Sequence, residues 1–333
     1  MNAKKFFCTF AALSLFGALF AAQNLAKQEI FSEAEVLNLN INLGSEDLKI
    51  EKCTNSEITV EVYTNNKNRI PDISLNKNCL TIIKQKYNIS KPGEYCNLVV
   101  YIPENKKFET LEVSTSSGEL TADQLIAQTA VISASSGDIT LTDCNFEQSN
   151  VDTSSGNQKI ENFNSNSASF EASSGDISIK TITSKKLKTK TSSGRIKFGT
   201  ITCDSFSVHA SSGNISVEKI ECETFSAETS SGDITFDKVT ADYFDAEASS
   251  GDIKLGLEKV PEASSSLKTS SGEQSVFVPK EQGFSLKVST TSGTFKDRIE
   301  NNRFSPRGHY TNNYNGGGAQ LSLTSTSGDI ELW

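Results

Sequence analysis

From residue 118 to residue 255 the apolar side chains of this sequence fall into columns rather than stretches. Counted from the glycine of a recurring Ser-Ser-Gly, the second residue on is Leu120, Ile139, Gln158, Ile177, Ile196, Ile215, Ile234 or Ile253. The fourth is Ala122, Leu141, Ile160, Ile179, Phe198, Val217, Phe236 or Leu255, and the seventh is Leu125, Cys144, Phe163, Ile182, Ile201, Ile220 or Val239. A second alternating set closes each unit, as in Phe206, Val208 and Ala210, then Phe225, Ala227 and Thr229, then Phe244, Ala246 and Ala248. Polar residues fill the positions between. Strict alternation is the pattern of a strand with one buried face. Each unit therefore predicts at least two short strands with an inward residue between them.

The unit repeats at fixed length. Gly118, Gly137, Gly156, Gly175, Gly194, Gly213, Gly232 and Gly251 are nineteen residues apart, wider steps lead to Gly272 and Gly293, and a last Thr-Ser-Gly ends at Gly328. A period near twenty means one supersecondary unit stacked on its own copies. Stacking sets each strand parallel to its copies at about 4.8 Å. The fold class expected is all-β: a single-stranded parallel β-helix (β-solenoid) of 19-residue rungs, right-handed by the usual hand of parallel crossovers. Each glycine is expected to mark a corner in the left-handed backbone conformation, where the missing Cβ removes the strain. Asp138, Asn157, Asp176, Asn214, Asp233 and Asp252 follow those glycines and suit a turn.

Outside the regular part, residues 1–22 begin with Met-Asn-Ala-Lys-Lys and run apolar from Phe6 to Ala22, the pattern of a secretory signal ending at Ala21 or Ala22. An uncleaved anchor is the competing reading of that stretch. Residues 30–110 alternate without a strict period and are expected to form irregular first rungs and an N-terminal cap. A solenoid needs its open edge covered, because an unpaired edge strand templates aggregation. Residues 111–293 form the regular solenoid, and residues 294–333 are expected to hold a long loop and a final rung closing at Ile330, Leu332 and Trp333 as the C-terminal cap.

A strand ending Val100-Tyr101-Ile102-Pro103, repeated Ser-Gly-Asp-Ile units, and the glycine-rich Asn315-Gly316-Gly317-Gly318 before a last Ser327-Gly328-Asp329-Ile330 carry a resemblance. Over residues 36–333 the chain resembles the bacterial putative-adhesin family of Ser-Gly-Asp-Ile β-strand repeat proteins, a domain of unknown function. The resemblance implies an exported or membrane-associated β-repeat protein and assigns no binding residue.

Charge narrows the partners. The net charge is −9, and loss of Lys4 and Lys5 with the signal takes it to −11. Nucleic acid is excluded as a general partner, since phosphate binding needs a positive surface. Beyond Cys8 stand Cys53, Cys79, Cys96, Cys144, Cys203 and Cys222, an even count that export permits to pair. Cys203 and Cys222 each lie nine residues after a glycine, Gly194 and Gly213, so they stack on neighbouring rungs. They are expected to form a disulfide or to be thiols poised for one. Cys144 is expected to stay a buried thiol. With two histidines, His209 and His309, a zinc site has no ligand set. A calcium ladder along the residues after the glycines is broken by Arg195, and only Asp233 over Asp252 is worth inspecting. No metal and no cofactor are expected.

Two clusters are candidate binding sites. The basic stripe Lys180, Lys185, Lys186, Lys188, Lys190, Arg195 and Lys197 sends Lys188, Lys190, Arg195 and Lys197 outward, a patch for an anionic glycan or lipid head group. Its competing reading is a solvated face, with Glu171 stacked on Lys190 and Glu218 nearby. The late loop holds Arg298, Arg303, Arg307, His309, Tyr310 and Tyr314, residue types common in binding hot spots. A cap whose aromatic rings cover the last rungs explains the same loop. No nucleophile and base can be paired from spacing, and no enzyme activity is expected. The function these features support is an exported, non-catalytic β-solenoid of the bacterial cell envelope, in the periplasm, on the cell surface or secreted. It would act as an adhesin-like binding or structural protein toward an envelope glycan or protein. The alternatives are a carbohydrate-active enzyme of the β-helix type and an envelope scaffold that self-associates through its solenoid ends at Trp333.

Overall fold

The computed structural model describes residues 23–86, 91–304 and 308–333. The signal segment of residues 1–22 and Arg307 lie outside the described residues. The chain is a β-solenoid. Phe108–Thr115 pairs in parallel with Ile126–Ala134, and the ladder continues through Asn145–Thr153, Phe163–Ala172, Ile177–Thr191, Ile196–Ala210, Ile215–Thr229 and Ile234–Ala248. Each step pairs residues nineteen apart, as in Ile177, Ile196, Ile215 and Ile234. The predicted columns are the core: all the isoleucines of the first column are at most 1% exposed. Bulky rings in one column offset small residues in another. Phe163 meets Phe146 at 5.5 Å and Phe170 at 5.1 Å, while Phe225 stacks between Phe236 and Phe244 at 4.9 and 5.3 Å.

The rungs divide into two kinds at a second corner, six residues past the glycine. In the first three regular rungs that corner is Gln124, Asp143 and Asn162, at φ of 54°, 52° and 52°, and the strand breaks there. From Ile177–Thr191 onward Thr181, Thr200, Lys219 and Lys238 stand at this position and each rung is one bent strand of fifteen residues. Asp and Asn tolerate the left-handed region, whereas a β-branched threonine does not.

The corner glycines correct the expectation drawn for them. None lies at positive φ; the positive-φ glycines among the described residues are Gly93, Gly316, Gly317 and Gly318. The corner instead brings two backbones together. A Cβ on Gly213 would lie 1.8 Å from the carbonyl oxygen of Gly194, and one on Gly156 would lie 1.9 Å from that of Gly137. Glycine is required because the preceding rung's carbonyl occupies the place of a side chain.

Backbone groups flanking this corner pair between rungs. Ser212 N–H donates to Ser192 O at 2.8 Å, and Ile215 N–H donates to Asp233 O at 2.8 Å. The amide just after the glycine is served by a side chain wherever the preceding rung carries Asp or Asn at that place. Asp233 N–H donates to Asn214 Oδ1 and Asp252 N–H to Asp233 Oδ1, both at 3.0 Å. Asn157 donates likewise to Asp138, and Arg195 to Asp176, at 2.7 and 2.8 Å. The Asp and Asn residues therefore form an acceptor ladder between rungs, where the peptide carbonyl points away. Three residues before the glycines, Thr115, Thr153, Thr191, Thr229 and Thr269 alternate with Ala134, Ala172, Ala210 and Ala248. Thr229 Oγ1 accepts from Gly232 N–H at 3.1 Å and donates to Gly213 O at 3.2 Å, so one hydroxyl serves its own rung and an alanine rung beside it.

The rungs do not stack in sequence order at the ends. Gln320–Ser325 and Ile330–Leu332 lie between the rung of Ser265–Thr269 and Gln274–Phe277 and the rung of Phe284–Thr290 and Phe295–Asp297. The corner glycines thus run Gly251, Gly272, Gly328, Gly293. The last rung in sequence is one rung inside the end, and Trp333 with it. The edge that the self-associating reading gave to Trp333 belongs to antiparallel strands: Gly308–Tyr314 covers Phe284–Thr290, and Asn302–Phe304 covers Phe295–Asp297. The other end is built alike. Asn38–Asn42 and Asp47–Cys53 sit between the Phe108–Thr115 rung and Cys79–Ile83 with Cys96–Pro103. Antiparallel Asp72–Asn76, Glu57–Thr64 and Leu25–Ser32 then close that end.

Two outcomes test the corner. Gly213→Ala is expected to lower stability by at least about 3 kcal/mol, because a backbone carbonyl cannot step aside for a methyl group. Ser212→Ala, on an exposed neighbour, should stay within about 0.5 kcal/mol. Thermal melts followed by far-ultraviolet circular dichroism measure both. The acceptor ladder also predicts acid sensitivity. The Arg195 backbone N–H, then its guanidinium, holds the Asp176 carboxyl below the usual carboxylate range. The Thr294 hydroxyl and N–H do so for Asp329. A carboxyl whose folded pKa is depressed contributes stability that is present above its unfolded value of about 3.9 and is lost as pH falls through the folded value. The melting temperature should therefore fall below about pH 4. Asp329→Asn, which keeps the acceptor, should flatten that fall in melts taken across the acid range.

Candidate functional site

The C-terminal loop resolves into inward and outward residues. Tyr314, 4% exposed, stacks on Phe284 at 4.6 Å, and its hydroxyl donates to Asp297 Oδ2 at 2.7 Å. Asp297 is itself buried and accepts the Ile299 and Glu300 amides at 2.9 and 3.1 Å. Burial, and then this bond to a carboxylate, push the Tyr314 hydroxyl well above the usual phenol range. Tyr310 lies over Phe295 at 5.1 Å. Arg298 crosses the Trp333 ring at 5.0 Å and reaches Glu331 at 3.4 Å. Arg303 and His309 are exposed on the capping strands, at register positions facing Lys296 and Ser289. The two tyrosines thus seal the end of the core, and among the described residues Arg298 and Arg303 are not gathered into one pocket.

The basic stripe separates into two groups on different faces of the rod. On the face after the glycine corner, acids of adjoining rungs neutralise the cations. The Arg195 guanidinium donates to Asp176 Oδ2 at 2.9 and 3.2 Å, Lys197 lies 3.4 Å from Glu218, and Lys180 lies 3.7 Å from Glu161. On the second face one strand, Ile177–Thr191, carries Lys185, Lys186, Lys188 and Lys190 outward while Leu187, Thr189 and Thr191 point inward. Lys185 and Lys186 are both exposed because the strand turns between inward Ser184 and Leu187. Lys188 pairs with Glu171 at 3.4 Å. Among the described residues, no ion pair holds Lys185, Lys186 or Lys190.

Small residues flank this lysine rung. Lys186 and Lys188 stand in register with Ser167 and Ser169 on one side and with Ser205 and Ser207 on the other. Long side chains beside serines leave hollows, and three open depressions result, each lined by lysine from this single rung. Lys185 borders one of about 380 Å³ with Asn145, Asn164 and Asn166. Lys186 and Lys188 border one of about 500 Å³ that also holds Ser207, Ser226 and the exposed ring of Tyr243. Lys190 borders one of about 630 Å³ with Lys84, Ser133, Asp152 and Glu171. Burial, then the nearby Glu171, raises the Asp152 carboxyl above the usual range.

The sequence sets Lys188 and Lys190 outward on one strand and Arg195 and Lys197 outward past the next corner, and the candidate patch joined the two pairs. That patch left out Lys185, Lys186 and Tyr243. The signal for them was available: outward positions of one rung, counted across to the next, bring them into one surface. His209 faces Glu228, with Nδ1 3.2 Å from Oε2. Asp233 and Asp252 are occupied by the acceptor ladder, and among the described residues no three His, Cys, Asp or Glu side chains converge as a metal site. No helix among the described residues is long and apolar enough to cross a membrane. Cys203 and Cys222 are register partners and stand as two thiols, as do Cys53, Cys79, Cys96 and Cys144.

The chain is matched in two overlapping stretches, residues 36–198 and 166–333, by the family described as Toastrack DUF4097. Among solved structures, a putative adhesin from Parabacteroides distasonis is 11% identical over 94% of this chain and 98% of its own, with a TM-score of 0.44. A putative adhesin from Bacteroides fragilis is 13% identical over 92% and 96%, with a TM-score of 0.31. A putative lipid binding protein from Parabacteroides distasonis is 13% identical over 92% and 97%, also at 0.31. No curated protein matches the chain. No residue's role is carried over from these likenesses.

The capping role of the loop has a direct measurement. Tyr314→Phe removes the hydroxyl that faces a buried carboxylate oxygen and should cost about 1.5–3 kcal/mol in denaturant unfolding.

Proposed function

The chain belongs to the Toastrack DUF4097 family, and on that premise we propose that it is an exported, non-catalytic binding protein of the bacterial envelope, adhesin-like, whose ligand is an anionic glycan. The observation that carries this reading is the lysine rung: four cations on one strand, three of them without an acidic partner among the described residues, each bordering a depression. An extended acidic polysaccharide laid along the rung meets ammonium groups at its charges and serine or asparagine side chains at its hydroxyls. The Tyr243 face at the edge of the middle depression offers an apolar platform for a sugar ring. Acidic rungs on either side, with Glu147 and Glu171 before and Glu221, Glu223 and Glu228 after, restrict an anion to this band. The leader pattern of residues 1–22 supports export.

A catalytic reading has one feature in its favour, the raised Asp152 carboxyl beside Glu171 in the largest depression. Asp152 and Glu171 are register partners on the same outer face. Asp152 Oδ2 already accepts from Asn150 Nδ2 at 2.6 Å and Glu171 Oε1 from Lys188 Nζ at 3.4 Å, so both carboxylates are occupied by structural partners. The binding reading therefore stands ahead.

Purified protein should bind an acidic polysaccharide such as polygalacturonate in titration calorimetry, and should not bind neutral dextran. Exposed lysines act through screened charge, so affinity should fall steeply as salt rises above about 0.1 M. The variant Lys186→Gln, Lys188→Gln, Lys190→Gln should lose at least about tenfold, a difference of about 1.4 kcal/mol, with its melting temperature unchanged. Equal binding of dextran, or full affinity in the folded triple variant, would overturn the assignment. Binding only to vesicles of anionic lipid would move the same surface to a membrane.

A further inference from the structure

Among the described residues two thiols meet at one place, the turn nine residues past the glycine that leads into the second face. Ser165, Ser184, Cys203, Cys222 and Ala241 are successive register partners there, one from each rung. Ser165 and Ser184 use their hydroxyls structurally, donating to the carbonyls of Ser167 and Lys186 at 2.9 Å. The column accepts serine on one side and alanine on the other, so packing does not call for sulfur in the two middle rungs. Parallel register partners hold their Cα atoms about 4.8 Å apart, inside the range of about 4.4–6.8 Å that a disulfide spans. Solvent reaches the two thiols: Cys222 is half-buried, and Cys203 lines the depression that holds Lys185.

The other thiols have no such neighbour. Cys53 faces Pro103, Cys79 faces Asn38 and Cys96 faces Thr64. Cys144, 1% exposed, donates to Thr142 O at 3.4 Å within its own turn.

We infer that Cys203 and Cys222 form a redox site, closed by a small-molecule or protein disulfide into a bond between consecutive rungs. The Cys222 thiol loses its proton, and the thiolate attacks one sulfur of the oxidant, R–S–S–R. The oxidant's S–S bond breaks, and one R–S⁻ leaves and takes up a proton. Cys203 then loses its proton and attacks Cys222 Sγ in the mixed disulfide, expelling the second R–S⁻, which is protonated in turn. Two protein S–H bonds and one oxidant S–S bond are broken. One protein S–S bond and two R–S–H bonds are formed, and two electrons pass to the oxidant. The neighbouring Cys203, then burial, push the Cys222 thiol up, so closure is slow near neutrality and quickens as pH rises. The bond encloses one whole coil, tying the rung after the lysine strand to the next.

The test uses the full chain, reduced and then exposed to oxidised glutathione. Alkylation and mass spectrometry should show two thiols lost, and trypsin without reduction should yield one linked pair, because Lys219 separates the Cys203 and Cys222 peptides. The oxidised protein should melt roughly 4–8 °C higher than the reduced protein. Cys222→Ser restores the residue already present two rungs earlier; it should fold, and its melting temperature should not respond to the oxidant. An unchanged number of alkylatable thiols after oxidation, a glutathione adduct that persists on Cys222, or a link to any other cysteine would each overturn the site.

Discussion

The structure depends on how closely two peptide backbones approach at the glycine corner. A rung that sets its carbonyl oxygen 1.8 Å from where the next rung's Cβ would be admits no residue but glycine. That contact holds the rungs at the spacing of a β ladder around the corner, not only along the strands. The amide after the glycine then has no carbonyl beside it, and an Asp or Asn on the neighbouring rung supplies the oxygen. The alternating threonines complete the same corner from inside. Ser-Gly-Asp is thus one hydrogen-bonding unit repeated along the rod, and the apolar columns behind it only have to fill volume.

A stack of identical rungs creates the problem it must then solve, two open edges with unpaired N–H and C=O groups. Both ends of this chain use the same answer. A coil from elsewhere in the sequence slides in beside the last regular rungs, and antiparallel strands close over the outermost edge. The reversal of direction ends the parallel ladder, and aromatic side chains such as Tyr314 and Tyr310 finish the core beneath it.

The columns of Ile, Leu, Val and Phe were legible because burial on one face leaves a period that no other architecture shares. The reason for the glycines was not legible: close approach and positive φ both select glycine, and only geometry separates them. The spatial order of Gly272, Gly328 and Gly293 was equally hidden, since a corner motif records its own turn and not its neighbour. The Thr and Ala alternation was present in the sequence but merged into an apolar set, because a buried threonine and alanine look alike by size. The lysines illustrate the limit for sites. Their presence is a property of one rung, whereas their freedom from acids is a property of three, and Lys188 differs from Lys190 only through where Glu171 points.

The inserted coil at the C-terminal end also fixes a sequence of events. A solenoid emerging in order from its N-terminal side can add each new turn to a finished template, with nearest-neighbour pairing guiding it. That growth stops at Gly272. Phe284–Thr290 and Phe295–Asp297 are made next, yet the surface on which they rest is Gln320–Ser325 and Ile330–Leu332, synthesised last. The final two rungs, with the antiparallel strands over them, therefore wait for the last residues of the chain, and a chain cut short of residue 320 leaves the growing end of the rod unsealed.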